Sequence, residues 1–99
     1  MNLTGKQKAY LKKLVHATKP LVMIGGKGVS EQVIKAIDEE LTLKELIKIK
    51  FSDFKEQKKE IFPQIAEQVD AIAIDLIGNI GILYRQNSDP DKQKINIPN

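Results

Sequence analysis

The 99-residue chain is predicted to fold as one α/β domain, a two-layer sandwich of order α-β-α-β-α-β-β with a four-stranded mixed sheet. Three observations predict it. Segments with apolar residues at helical spacing alternate with short β-branched runs. Two of these alternations make strand–helix–strand units, which close as right-handed crossovers. Gly78-Asn79 then separates two apolar runs, the turn signal of a hairpin whose last strand lies antiparallel beside its partner.

The elements follow in order. Thr4 with Gln7 three residues on is a capping-box entry to a first helix, whose apolar stripe is Leu11, Leu14 and Val15 with Tyr10 beside it. The helix ends before Lys19-Pro20, because proline disfavours helical geometry in its predecessor. Leu21 to Ile24 is a continuous apolar run suited to a buried strand. Ser30 is the expected N-cap of a second helix that turns Val33, Ile34, Ile37 and Leu41 inward. Leu46 to Phe51 alternates, with Ile47, Ile49 and Phe51 on one face and Lys48 and Lys50 on the other. Asp53 with Glu56 reads as a third helix entry, with Phe54, Ile61, Phe62, Ile65 and Val69 inward and a kink or restart at Pro63. Ala71 to Ile77 and Ile80 to Arg85 form the hairpin. The domain is expected to span residues 1–85, with 86–99 a loose polar tail in which Ile95 and Ile97 offer local docking points.

Composition narrows the function. The absence of cysteine excludes disulfides and thiolate metal sites, and with a single histidine it excludes ordinary zinc sites. His16 reads as structural or solvated. No segment resembles a signal peptide or approaches the roughly 20 apolar residues of a spanning helix, so a cytoplasmic protein without membrane contact is expected. Nothing gathers an acid, a base and a nucleophile; Asp38, Glu39 and Glu40 read as a solvated helix face and Asp75 as an exposed strand position. Neither catalysis nor a cofactor is expected. The glycines lack the third member of a dinucleotide fingerprint, and no Gly-Lys-[Ser/Thr] follows them as a Walker loop requires.

The charge distribution is informative. Net charge is +3, yet the first thirty residues hold Lys6, Lys8, Lys12, Lys13, Lys19 and Lys27 and no acid, while the remainder has ten basic residues against thirteen acidic. Such asymmetry points to a basic face for a polyanion. Within that segment lies Gly25-Gly26-Lys27-Gly28, a G-x-x-G loop between a strand and a helix start. Glycines there let the backbone approach a ligand, and amides at a helix N-terminus attract anions. Such a loop can clamp a nucleic-acid backbone. Tyr10 and Tyr84 are possible base-stacking groups, but low aromatic content argues for packing, most clearly for Tyr84.

Taken in order, Leu3-Thr4-Gly5-Lys6-Gln7-Lys8, Lys19-Pro20, Ile24-Gly25-Gly26-Lys27-Gly28-Val29, Glu45-Leu46-Ile47-Lys48, Ile77-Gly78-Asn79 and Leu83-Tyr84-Arg85 resemble the CRM domain, named for chloroplast RNA splicing and ribosome maturation. The resemblance covers about residues 2–85, and Ile95-Asn96-Ile97-Pro98 is similar to the tail of the short bacterial YhbY-type members. It implies an RNA-binding fold related to K-homology domains and to the C-terminal domain of translation initiation factor 3, set in assembly of the large ribosomal subunit. The family's loop maps onto Gly25 to Gly28 and its basic helix surface onto Lys6, Lys12 and Lys13. Gly26, as a third glycine, and Pro63, inside a helix, depart from the family pattern.

The expectation is therefore a monomeric RNA-binding protein acting on precursor large-subunit rRNA in the pre-ribosomal particle. Lys27 and the amides of Gly25, Gly26 and Gly28 would hold phosphate, with Lys6, Lys12, Lys13 and Lys19 around them and Lys48 and Arg85 further out. The alternative is a protein–protein adaptor that docks the same basic face on ribosomal proteins.

Overall fold

The computed structural model describes residues 2–99. Helix α1 spans Gly5–Val15, β1 Val22–Ile24, α2 Glu31–Lys44, β2 Leu46–Phe51, α3 Lys58–Gln68, β3 Ile72–Ile77 and β4 Ile80–Tyr84, followed by a 3-10 turn at Pro90–Lys92. The sheet is four-stranded and mixed, in the order β1-β2-β4-β3, with β1 parallel to β2 and the other pairs antiparallel. The final strand thus inserts between β2 and β3, pairing with both.

The α/β class and the mixed sheet agree with the sequence. The helices α2 and α3 cover one face, over a core that includes Ile24, Ile37, Leu41, Ile49, Phe51, Phe62, Ile65 and Leu83. Burial of such side chains stabilises by about 1.5–3 kcal/mol each. Helix α1 packs on the other face, against Ile74, Ile82 and Tyr84, through Leu11 and Val15. It adds a partial third layer to the predicted sandwich.

Helix entries follow local chemistry in two of three cases. The Thr4 hydroxyl accepts from the Gln7 amide at 3.1 Å while the Gln7 side chain accepts from the Thr4 amide at 2.9 Å. The Ser30 hydroxyl accepts from the Val33 amide at 3.2 Å. The third helix departs from expectation: Asp53 does not cap it, Gln57 precedes it without a side-chain cap, and α3 runs through Pro63 as one helix. Residues 52–57 instead form a turn, with Ser52 and Asp53 both donating to the Ile24 carbonyl.

The tail is not loose. Glu45, buried at the end of α2, accepts from the amides of Asn87, Lys94 and Ile95 at 2.6, 2.7 and 3.2 Å. Ile95 and Ile97 pack on the α1 side of the sheet, and the Gln7 side chain donates to the Pro98 carbonyl. Tyr84 lies fully buried there. Its phenol is pushed above its ordinary pKa by burial first and by the Glu45 charge second.

Candidate nucleic-acid interface

Strand β1 ends at Ile24, and the glycine loop follows at the end of the sheet where β2 finishes and β3 turns into β4. The loop is a tight turn. The Gly28 amide donates to the Gly25 carbonyl at 2.9 Å, and the Ser30 amide to the Gly28 carbonyl at 3.1 Å. Gly28 has φ +66°, a left-handed conformation that favours glycine. These bonds engage the Gly28 amide, which the sequence reading assigns to phosphate, and leave those of Gly25, Gly26, Lys27 and Val29 as the loop amides they do not use, next to the start of α2. The added glycine at position 26 does not leave this loop unbonded, because the turn is closed on either side of it.

The register of the sheet places one residue from each strand in a row at this end: Met23 beside Lys50, Lys50 beside Ile80, Ile80 beside Ile77. All four belong to the α1 face, but α1 does not cover them; Met23 is 51% and Ile77 54% exposed. Strand β1 is consequently a half-open edge strand rather than the buried strand its apolar run predicts. Alternation buries Val22 and Ile24 and turns Met23 out. Between the row and α1 runs a cleft of about 490 Å³, lined by Lys12, Lys13, His16, Lys48, Ile77, Ile80 and Ile82. The cleft has an apolar floor and a basic rim.

A bulge in β3 shapes that rim. Ile74 and Asp75 together oppose Ile82, so the alternation slips by one and Asp75 emerges on the α1 face. There it pairs with Lys12, Nζ to Oδ2 at 2.9 Å. The Lys12 hydrogen bond, with a second from the Leu76 amide, holds the Asp75 carboxyl below the usual carboxylate range. Lys12 is therefore a partly neutralised member of the rim.

The predicted cations do not all reach this surface. Lys13 and Lys12 line the cleft and Lys6 lies one heptad before Lys13 on α1, on the same helix side. Lys27 sits in the turn, and Lys19 is exposed on the link between α1 and β1. Lys48 lines the cleft but donates to the carbonyls of His16 and Thr18 at 2.8 and 3.0 Å, closing the end of α1, which limits it as a phosphate ligand. Arg85 is not brought to this surface. It lies just past Tyr84, which pairs with Leu46, at the opposite end of the sheet. Its guanidinium donates to Asp38, Val69 and Thr42, binding β4 to α2 and α3. Arg85 leaves the candidate site because its donors are engaged in the scaffold.

Alternation along β2 puts Lys48 and Lys50 on one face without ranking them, and two features of the site come from the tertiary structure. Lys50 outranks Lys48: both alternate to the α1 face, but Lys50 is exposed in the open row. The turn after β2 brings Asp53 and Phe54 to the glycine loop. A Cβ on Gly26 would lie 3.8 Å from Asp53 Oδ2, and one on Gly28 would lie 3.4 Å from the Phe54 ring. The misleading signal was phase, since Phe54 precedes Ile61 by seven residues and reads as the same helical stripe.

Comparison with known proteins agrees with this architecture. The CRS1/YhbY (CRM) domain model matches residues 3–85. The chain is 38% identical over 97 residues to a protein of Haemophilus influenzae named RNA-binding protein, covering 97% of this chain and 95% of that one. It is 31% identical over 97 residues to the probable RNA-binding protein YqeI of Bacillus subtilis, covering 97% and 99%. The solution structure of SAV1595 from Staphylococcus aureus superposes with a TM-score of 0.77 at 34% identity, covering 98% of this chain and all of that one. With fold, loop and relatives in agreement, the chain belongs to the CRS1/YhbY (CRM) domain family.

Proposed function

We propose that this protein binds RNA, using the Gly25–Gly28 turn, the basic side of α1 and the open end of the sheet as one surface. The observation that carries the reading is the convergence of the glycine turn and the uncovered row Met23, Lys50, Ile80 and Ile77 at a single end of the molecule. Lys27 and the loop amides receive one phosphate; Lys50, Lys13, Lys6 and Lys19 receive its neighbours, with Lys12 shared between RNA and Asp75. Naming of relatives as RNA-binding proteins supports the same reading. The physiological ligand in this proposal is rRNA within precursors of the large ribosomal subunit, bound by a cytoplasmic monomer that assists assembly without catalysing a reaction.

Crosslinking the protein to RNA in cells and sequencing the attached fragments tests it. Enrichment of precursor large-subunit rRNA is the expected result, and fragments scattered at the abundance of each RNA would sink it. The exposure of Met23 and Ile77 favours a second reading, an adaptor docked on a ribosomal protein. Nuclease separates the two, because an adaptor stays with subunit precursors after accessible RNA is digested.

A further inference from the structure

The chain has five aromatic residues, and four are spent on packing. Phe51, Phe62 and Tyr84 are buried, and Tyr10 packs on the α1 core. Phe54 alone stands out, 40% exposed. Its backbone has φ +57°, a left-handed conformation that a bulky side chain rarely adopts. Both features oppose folding, since exposure forfeits burial and the dihedral stores strain. The place is specific: the ring edge lies beside Gly28, at the closing corner of the glycine turn. Asp53, the residue before it, puts a carboxylate next to Gly26 and so makes this side of the turn unfavourable for a phosphate. An uncharged planar group fits there better than a phosphate does.

We propose that the Phe54 ring is a stacking platform for the base of an unpaired nucleotide whose backbone lies on the Gly25–Gly28 turn. This rests on the RNA-binding reading above and deepens it: the ligand is RNA with single-stranded nucleotides, because a paired base is already stacked and cannot reach the ring. The ring discriminates strandedness; the lysines, which contact phosphates, do not.

The test compares a short single-stranded RNA with a fully paired duplex as probes for the whole protein. Phe54→Leu keeps apolar bulk but removes the π-face, and is expected to weaken single-strand binding about tenfold while leaving duplex binding unchanged. Phe54→Tyr is expected to bind as the parent protein does. Because the chain contains no tryptophan, Phe54→Trp installs a single fluorophore whose emission is expected to be quenched by the single strand and not by the duplex. Thermal melting checks that each variant is folded. Unchanged single-strand affinity in a folded Phe54→Leu protein overturns the platform alone, as does equal loss on both probes. Failure of the parent protein to bind either probe overturns the RNA-binding reading and the platform together.

Discussion

Gly81 has no room for a side chain. A Cβ there would lie 2.5 Å from Cε1 and 2.8 Å from Cδ1 of Phe62, so the glycine lets α3 close on β4. Gly81→Ala is expected to destabilise by about 1–3 kcal/mol, read as a lower urea midpoint at unchanged slope. Lys27 is exposed, and in the proposed RNA complex it contributes charge. Lys27→Ala is expected to weaken RNA binding similarly for all sequences and to reduce the slope of log affinity against log salt by about 0.7–1, with melting unchanged. Asp75 has opposite effects on stability and binding. Its folded pKa lies below the ordinary value near 3.8, so the pair with Lys12 contributes above that pH and is lost as pH falls through the folded pKa. The pair is about two-fifths exposed, and Asp75→Asn is expected to cost only about 0.2–1 kcal/mol at neutral pH, the difference from the parent vanishing in acid. The same variant frees Lys12 and is expected to tighten RNA binding, measured by titration at fixed salt.

Among elements, the C-terminal segment carries a consequence of burying one carboxylate. Glu45 accepts three amide protons from residues 87–95, so the segment is tied to the C-terminus of α2. Glu45→Gln retains one acceptor oxygen and loses the charge. It is expected to destabilise by about 1–3 kcal/mol and to accelerate amide exchange at Asn87, Lys94 and Ile95 before the sheet opens. A polar composition reads as loose because sequence does not reveal that an acid forty residues upstream is buried and in need of donors. The start of α3 was obscured for a related reason. Asp53 and Glu56 have capping spacing, but hydrogen bonds from Ser52 and Asp53 to Ile24 hold that stretch as a turn beside the glycine loop. In α1 and α2 nothing competes with the local signal, and the caps at Thr4 and Ser30 form as their spacing dictates.

On the scale of the whole molecule, the two sheet faces are treated unequally. One is sealed by α2 and α3, while the other is half covered by α1 and the tail, which leaves its loop-side end open. That asymmetry is what turns a +3 protein into one with a directed surface. If about four to six phosphates are contacted, affinity is expected to fall roughly 50- to 300-fold between 50 and 200 mM salt, with a single-strand slope near −0.7 per contact. Anisotropy titrations at several salt concentrations check this, and a salt-independent dissociation constant contradicts it.

Local pattern by itself determined the α/β class, the caps of two helices, the inward residues of α2 and β2, the hairpin and the glycine turn, because each arises from residues within a few positions of one another. Tertiary structure decided which cations remain available. Arg85 and Lys48 look like surface charges in sequence, yet long-range partners at Asp38, Val69, His16 and Thr18 claim their donors, whereas Lys50 and Phe54 reach the open end because strand register and a turn place them there. A side chain's availability depends on what the fold brings against it, and that is a property of distant residues meeting in space.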